Sequence, residues 1–241
     1  MTSQSKDYYF KHKDDSGYIE KYKSGKNFYD PIIEDRYLKN IANYFIDNKE
    51  VDVLEIGYFS GRVNNKLSKY YKNITVTDIS NQMIDNYKGD KFCLDWTRET
   101  IEEPINKYDF ICNIGHQLSF SKNIENGIDC MNKFLNPGGI VFFDIWNSLC
   151  DKKFLPKDYE VETKSKVDIN ELLKKFSLTP LKIDYGFSLC YQYPKFFYLQ
   201  NMLFNTLLQK QVLWSNKNLL SNLNSVNKAQ NIYVIAKKEV N

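Results

Sequence analysis

The stretch Val53-Leu54-Glu55-Ile56-Gly57-Tyr58-Phe59-Ser60-Gly61-Arg62-Val63 decides the fold. An apolar run over 51–57 carries an acid near its end and runs into a glycine turn. A helical pattern follows over 61–71. A buried strand that turns through glycine into a helix sets backbone N–H groups, and the positive end of the helix, at the carboxyl edge of a sheet. Open α/β sheets bind their ligands at that edge. About twenty residues on, a second apolar run ends at Asp78 in Thr75-Val-Thr-Asp-Ile-Ser80, where a carboxylate can accept hydrogen bonds from a ribose hydroxyl pair. The spacing suits a nucleoside.

Outward from this pair the chain keeps alternating. Short apolar runs at 74–78, 92–94, 108–114 and 140–146 are separated by helical patterns beginning at Ser80 and spanning 124–135. Strands alternating with helices predict a parallel sheet covered on both faces, and near-continuous apolar runs suit strands buried on both sides. The fold class is α/β. Before the first strand, residues 1–34 are too aromatic for a disordered tail, and Ile33, Tyr37, Ile41 and Phe45 recur at one helical face. Beyond the fifth strand come a helix over 167–176, strands over 181–189 and 231–237, and a helix over 194–214 with a wide apolar face. The chain reads as one domain over 1–241: an N-terminal helical cap over 1–48, a ligand-binding core over 49–147, and a C-terminal half over 148–241 with a helical insertion at 191–230.

The order of these motifs resembles the class I S-adenosylmethionine-dependent methyltransferases. Their first motif is an acid, any residue, then G-x-G-x-G. Glu55, Gly57 and Gly61 fall on three of its fixed positions, and Phe59 stands where the middle glycine belongs. The resemblance continues through Asp78-Ile-Ser-Asn-Gln-Met83, Asp95-Trp96, Tyr108-Asp-Phe-Ile-Cys-Asn113 and Phe134-Leu-Asn-Pro-Gly-Gly-Ile-Val-Phe-Phe-Asp144. No one of these elements is specific alone, since a glycine turn or an acid ending a strand is common. Their order and spacing together are specific. The resemblance implies a Rossmann-like, doubly wound, seven-stranded sheet, mostly parallel with an antiparallel last strand, and S-adenosylmethionine as cofactor.

Carried over by position, the resemblance implies that Glu55 belongs to the network holding the methionine ammonium, with Gly57 and Gly61 in the turn beneath it. Asp78 would hold the ribose, Ile79 and Met83 would flank adenine, and Asp95 would accept from the adenine amino group with Trp96 alongside. The backbone at Asn113 would face the methionine part. Phe59 is expected to keep a negative φ with its ring at the pocket edge, because a bulky residue at positive φ costs on the order of 1–3 kcal/mol. His116, in Gly115-His-Gln117 just past the fourth strand, is the candidate general base at the rim where the methyl group is presented. Tyr22, Tyr29, Trp146 and Asn147 are candidate contacts for the acceptor.

Composition narrows the partners. The 241 residues carry 33 basic and 30 acidic side chains, a net +3, too little for a nucleic-acid partner. No apolar run approaches the ~20 residues of a membrane span, and the start has no secretory signal pattern, so a cytoplasmic protein without a membrane partner is expected. The 5 cysteines are widely spaced and only 2 histidines are present, so free thiols and no metal centre are expected. The function expected is methyl transfer to an O or N atom of a small metabolite, such as a sugar or natural-product intermediate, by a monomer or homodimer. The alternative is a binding protein that keeps the fold while Phe59 closes the donor pocket. A nicotinamide dehydrogenase is disfavoured, because the G-x-G-x-x-G fingerprint is missing.

Overall fold

The computed structural model describes residues 29–45, 50–59, 61–96, 105–121, 123–152, 161–186 and 229–240. Eight strands form one sheet: β1 (Asp52–Ile56), β2 (Asn73–Asp78), β3 (Lys91–Cys93), β4 (Tyr108–Asn113), β5 (Leu135–Asn147), β6 (Thr163–Lys164), β7 (Leu178–Gly186) and β8 (Asn231–Lys238). The order across the sheet is β3-β2-β1-β4-β5-β8-β7, with β6 pairing the end of β5. Every neighbouring pair is parallel except the two that β8 makes, with β5 and β7. The strand order reverses between β1 and β4, so a crevice opens outside their carboxyl ends. This is the expected α/β sheet, with β6 added to the seven strands that the sequence indicates.

Two apolar layers hold the sheet. On one face, Tyr37, Leu38 and Ile41 of α1 (Tyr29–Ala42) pack on Val53, Phe110, Phe142 and Tyr233. The ring of Tyr37 lies 5.4 Å from that of Phe142 and 5.3 Å from that of Tyr233. On the other face, α5 (Ile124–Phe134) and α6 (Lys166–Lys175) bury Ile128, Met131, Phe134, Ile169 and Leu173 against Leu54, Ile111, Val141 and Phe143. Ser165 and Asp168 cap α6 reciprocally, each side chain accepting the other's backbone N–H. The Lys238 ammonium donates to the carbonyls of Asn132 and Leu135 at 2.6 and 2.9 Å, closing the end of α5.

Several expected boundaries move for physical reasons. The helix expected over 61–71 contracts to α2 (Asn64–Leu67), and that from Ser80 to α3 (Asn81–Ile84), since paired Asn64-Asn65 and the run into Gly89 are poor helix formers. The turn expected before the fifth strand is absorbed into β5, with the β4–β5 register shifting between Tyr108 and Phe110. β7 starts at Leu178 rather than 181, because Pro180 is tolerated on an edge strand where a register shift accompanies it. The short α4 (Gln117–Ser121) follows β4 directly. The helix expected over 194–214, within the insertion 191–230, lies outside the described residues, as does Tyr22.

Candidate active site

The glycine turn after β1 is laced to β2. Gly57 and Tyr58 donate their N–H groups to the Thr77 carbonyl at 2.8 and 2.9 Å, and Phe59 N–H donates to Asp78 Oδ2 at 3.0 Å. To double back this tightly the chain takes positive φ at three alternate residues: Gly57 at 84°, Phe59 at 45° and Gly61 at 71°. Phe59 therefore does not keep the negative φ expected of it. The turn requires the left-handed region at the middle motif position, which is why glycine belongs there, and the bond to Asp78 holds the phenylalanine in place.

The two acids beside the turn differ in what holds them. Asp78 is nearly buried and accepts from Phe59 N–H and, through Oδ1, from Ser80 N–H at 3.1 Å. Burial raises its pKa, and the amides of Phe59, Ser80 and Ile79 pull against that rise. Glu55 is 1% exposed, and neither carboxylate oxygen makes a well-formed hydrogen bond. Burial pushes its carboxyl up to about 8, against the weaker pull of Asn64 and Arg62. A buried acid so weakly paired is costly, and such a group is satisfied by a ligand or keeps its proton.

At the end of β4 a second tight loop carries Gly115 at φ 107° and His116 at φ 62°. Both backbone N–H groups donate to Asp144 Oδ1 at 2.8 Å, while Asp144 Oδ2 lies 3.0 Å from His116 Nδ1. Burial opposes ionisation of Asp144, but the imidazole and the two amides outweigh it and hold the carboxyl below its ordinary value. The imidazole stacks on Trp146 at 4.2 Å between ring centroids and keeps 15% of its surface exposed. One carboxylate thus fixes both the loop backbone and the ring it presents.

Other polar groups converge on the same strand ends. Asn113 Nδ2 donates to Ile56 O at 3.3 Å, and its Oδ1 is buried without a partner. Gln117 Nε2 donates to Gly57 O at 3.0 Å. Arg62 pairs with Glu34 of α1, as does Lys66 at 2.9 Å, so the cap helix is pinned to the segment after the glycine turn. The Cys112 thiol, surrounded by Glu55, Glu34 and Asp144 and deeply buried, is raised well above its ordinary pKa, first by burial.

Of the residues picked out in the sequence, Glu55, Gly57, Phe59, Gly61, Asp78, Asn113 and His116 are brought together at the ends of β1, β2 and β4. Ile79 and Met83 are half-buried beside the end of β2. Asp95 is half-buried just after β3, and Trp96 packs over Gly127 of α5 with its indole N–H buried and unpartnered. Trp146 lies under His116, and its indole N–H is also buried without a partner. Asn147 is a structural anchor, donating to Gln230-side backbone at Ala229 O (2.8 Å) and accepting from Leu149 N–H (3.1 Å). Tyr29 opens α1. Asp144, Gln117, Arg62 and Glu34 were missed. Only Asp144 carries a sequence signal, a charge inside the apolar run 140–146 that must find partners.

Residues 29–188 match the family described as methyltransferase domain. A comparison with curated protein sequences gives no match. Among solved structures, the chain is similar to an S-adenosylmethionine-dependent methyltransferase from Archaeoglobus fulgidus, at 15% identity over 85% of this chain and 94% of that one, with a TM-score of 0.54. It is also similar to the Burkholderia thailandensis 1,6-didemethyltoxoflavin N1-methyltransferase with bound 1,6-didemethyltoxoflavin and S-adenosylhomocysteine (12% identity, 93% and 86% covered, TM-score 0.53). A third is Haemonchus contortus phosphoethanolamine N-methyltransferase 2 in complex with S-adenosylmethionine (13% identity, 86% and 56% covered, TM-score 0.53). At these identities the likenesses speak for the fold, whereas the family match spans well over half of the 241 residues. The chain belongs to the methyltransferase domain family and is a class I S-adenosylmethionine-dependent methyltransferase.

Proposed function

We propose that this enzyme methylates an O or N atom of a small metabolite in the cytoplasm, with His116 as general base. The observation that carries the reading is the His116–Asp144 pair, held just past the end of β4. The residues suit the cofactor: a buried acid only weakly paired with Asn64 and Arg62 fits an ammonium, the turn at Gly57 and Gly61 leaves backbone open to approach, and Asp78 keeps lone pairs for ribose hydroxyls. Glu55 would hold the methionine ammonium and Asp78 the ribose. Ile79, Met83, Asp95 and Trp96 would line the adenine, and Asn113 the methionine part.

S-adenosylmethionine supplies a methyl group that is already activated, so the protein's work is alignment and proton removal. Alignment at near-attack distance is worth roughly 7–11 kcal/mol, and a positioned base about 10² to 10⁴ in rate. With Nδ1 turned to Asp144, Nε2 of His116 would be the atom that takes the proton from an acceptor O–H or N–H, and the ionised Asp144 would stabilise the imidazolium that forms. A polar acceptor is supported by the register pair Trp146 and Asn231, where the indole N–H and the amide oxygen are buried without partners. Two solved neighbours are named as N-methyltransferases, one of phosphoethanolamine and one of 1,6-didemethyltoxoflavin. The free thiols of Cys93, Cys112, Cys130 and Cys150 suit a reducing compartment, and no described helix is long and apolar enough to cross a membrane.

The test is a methyl-transfer screen over small hydroxyl and amine acceptors with the parent and His116→Ala. The reading expects turnover on a small acceptor that falls about 10² to 10⁴ in the variant. Turnover unchanged by the substitution at every pH would remove His116 from proton transfer.

A further inference from the structure

Gln117 lies where a ligand's amino-acid end would go. A Cβ built on Gly57 would meet its Oε1 at 1.7 Å, Nε2 at 1.9 Å and Cδ at 2.0 Å, so the carboxamide rests flat against the glycine. It bridges two strand ends, Nε2 donating to Gly57 O at 3.0 Å and Oε1 accepting from Asn113 Nδ2 at 3.4 Å. Beside it is an acceptor without a partner, Asn113 Oδ1. An ammonium has three N–H bonds to place. The Asn113 amide oxygen and the Gly57 carbonyl offer two acceptors at these strand ends, and the second already holds the Gln117 N–H.

We propose that the Gln117 carboxamide is an internal stand-in for the amino-acid head of the donor, displaced from Gly57 when S-adenosylmethionine binds. The proposal rests on the donor-site reading above. The carboxamide fills the space over Gly57 and holds its carbonyl, and Gln117 is only half-buried, so the side chain has solvent to swing into. The same competition acts on S-adenosylhomocysteine, which carries the same head, and so favours release of product. Product release limits turnover in many enzymes. A nucleoside thioether lacking the head, 5′-methylthioadenosine, meets no such competition.

Calorimetric titration of the parent and of Gln117→Ala with both ligands decides the matter. Loss of one hydrogen-bonded competitor should tighten S-adenosylhomocysteine about three- to tenfold and leave 5′-methylthioadenosine within twofold. Gln117→Ser should behave as Gln117→Ala does, which guards against one variant folding poorly. Unchanged or weaker S-adenosylhomocysteine binding would overturn the proposal, the weaker case making Gln117 a direct contact. An equal gain for both ligands would also overturn it, because the obstruction would not concern the head. If the parent binds 5′-methylthioadenosine but not S-adenosylhomocysteine, or binds neither, the donor-site reading itself fails and takes this proposal with it.

Discussion

Phe59 and Glu55 both stand where the backbone or burial disfavours them. The left-handed φ of 45° at Phe59 costs on the order of 1 kcal/mol for a residue with a Cβ, so Phe59→Gly should raise the stability measured by urea unfolding by up to about that amount. A loss of stability instead would show that the ring's packing outweighs the strain. For Glu55 the sign follows from its carboxyl lying at about 8 in the folded protein against 4.5 ordinarily. Between those values the folded state keeps a proton that the unfolded chain has released, so ligand-free stability falls as pH rises through that window. Glu55→Gln removes the dependence, and its advantage in urea unfolding should grow from pH 5 to pH 8. A cationic head binds the ionised form better, so S-adenosylhomocysteine affinity should rise with pH up to about 8, with close to one proton released per ligand near neutrality. Calorimetry in two buffers of different ionisation enthalpy measures that proton, and zero release would contradict the assignment. The place of Glu55 and Gly57 at the end of the first strand was legible in the sequence. The geometry at Phe59 was not, because φ at one position depends on how the whole turn closes onto β2.

At the scale of elements, the proposed chemistry sits where the loop after β4 meets β5. Asp144→Asn is the most informative change there. The remaining amide oxygen can still accept from the Gly115 and His116 N–H groups, while the new NH₂ faces His116 Nδ1 and forces its proton to Nε2. Turnover should fall roughly 10² to 10⁴ with S-adenosylhomocysteine affinity held within about threefold, as expected of a group that orients a base. Equal losses in turnover and binding would make Asp144 a scaffold for the loop alone. His116 was legible as a base candidate from its place after a strand. Its partner was not assigned, since pairing across β4 and β5 joins residues 28 apart with no local pattern. The same holds for Glu34, whose helix was legible from apolar spacing but whose hold on Arg62 spans 28 residues.

Across the whole molecule, the alternation of apolar runs and helical patterns made the mostly parallel α/β sheet legible in the sequence. What the pattern missed were features set by tertiary pairing: β6 added beyond β5, and the β5 extension through Asn136-Pro-Gly-Gly139 by a register shift. The central claim is that the ends of β1, β2 and β4 form one donor site, to which Glu55, Gly57, Asp78 and Asn113 contribute together. The most direct measurement is calorimetric titration of S-adenosylhomocysteine into the parent and into Asp78→Ala. The account predicts one site on the parent, weakened about ten- to hundredfold in the variant by loss of charge-assisted hydrogen bonds. No binding to the parent, or equal affinity in both proteins, would contradict it.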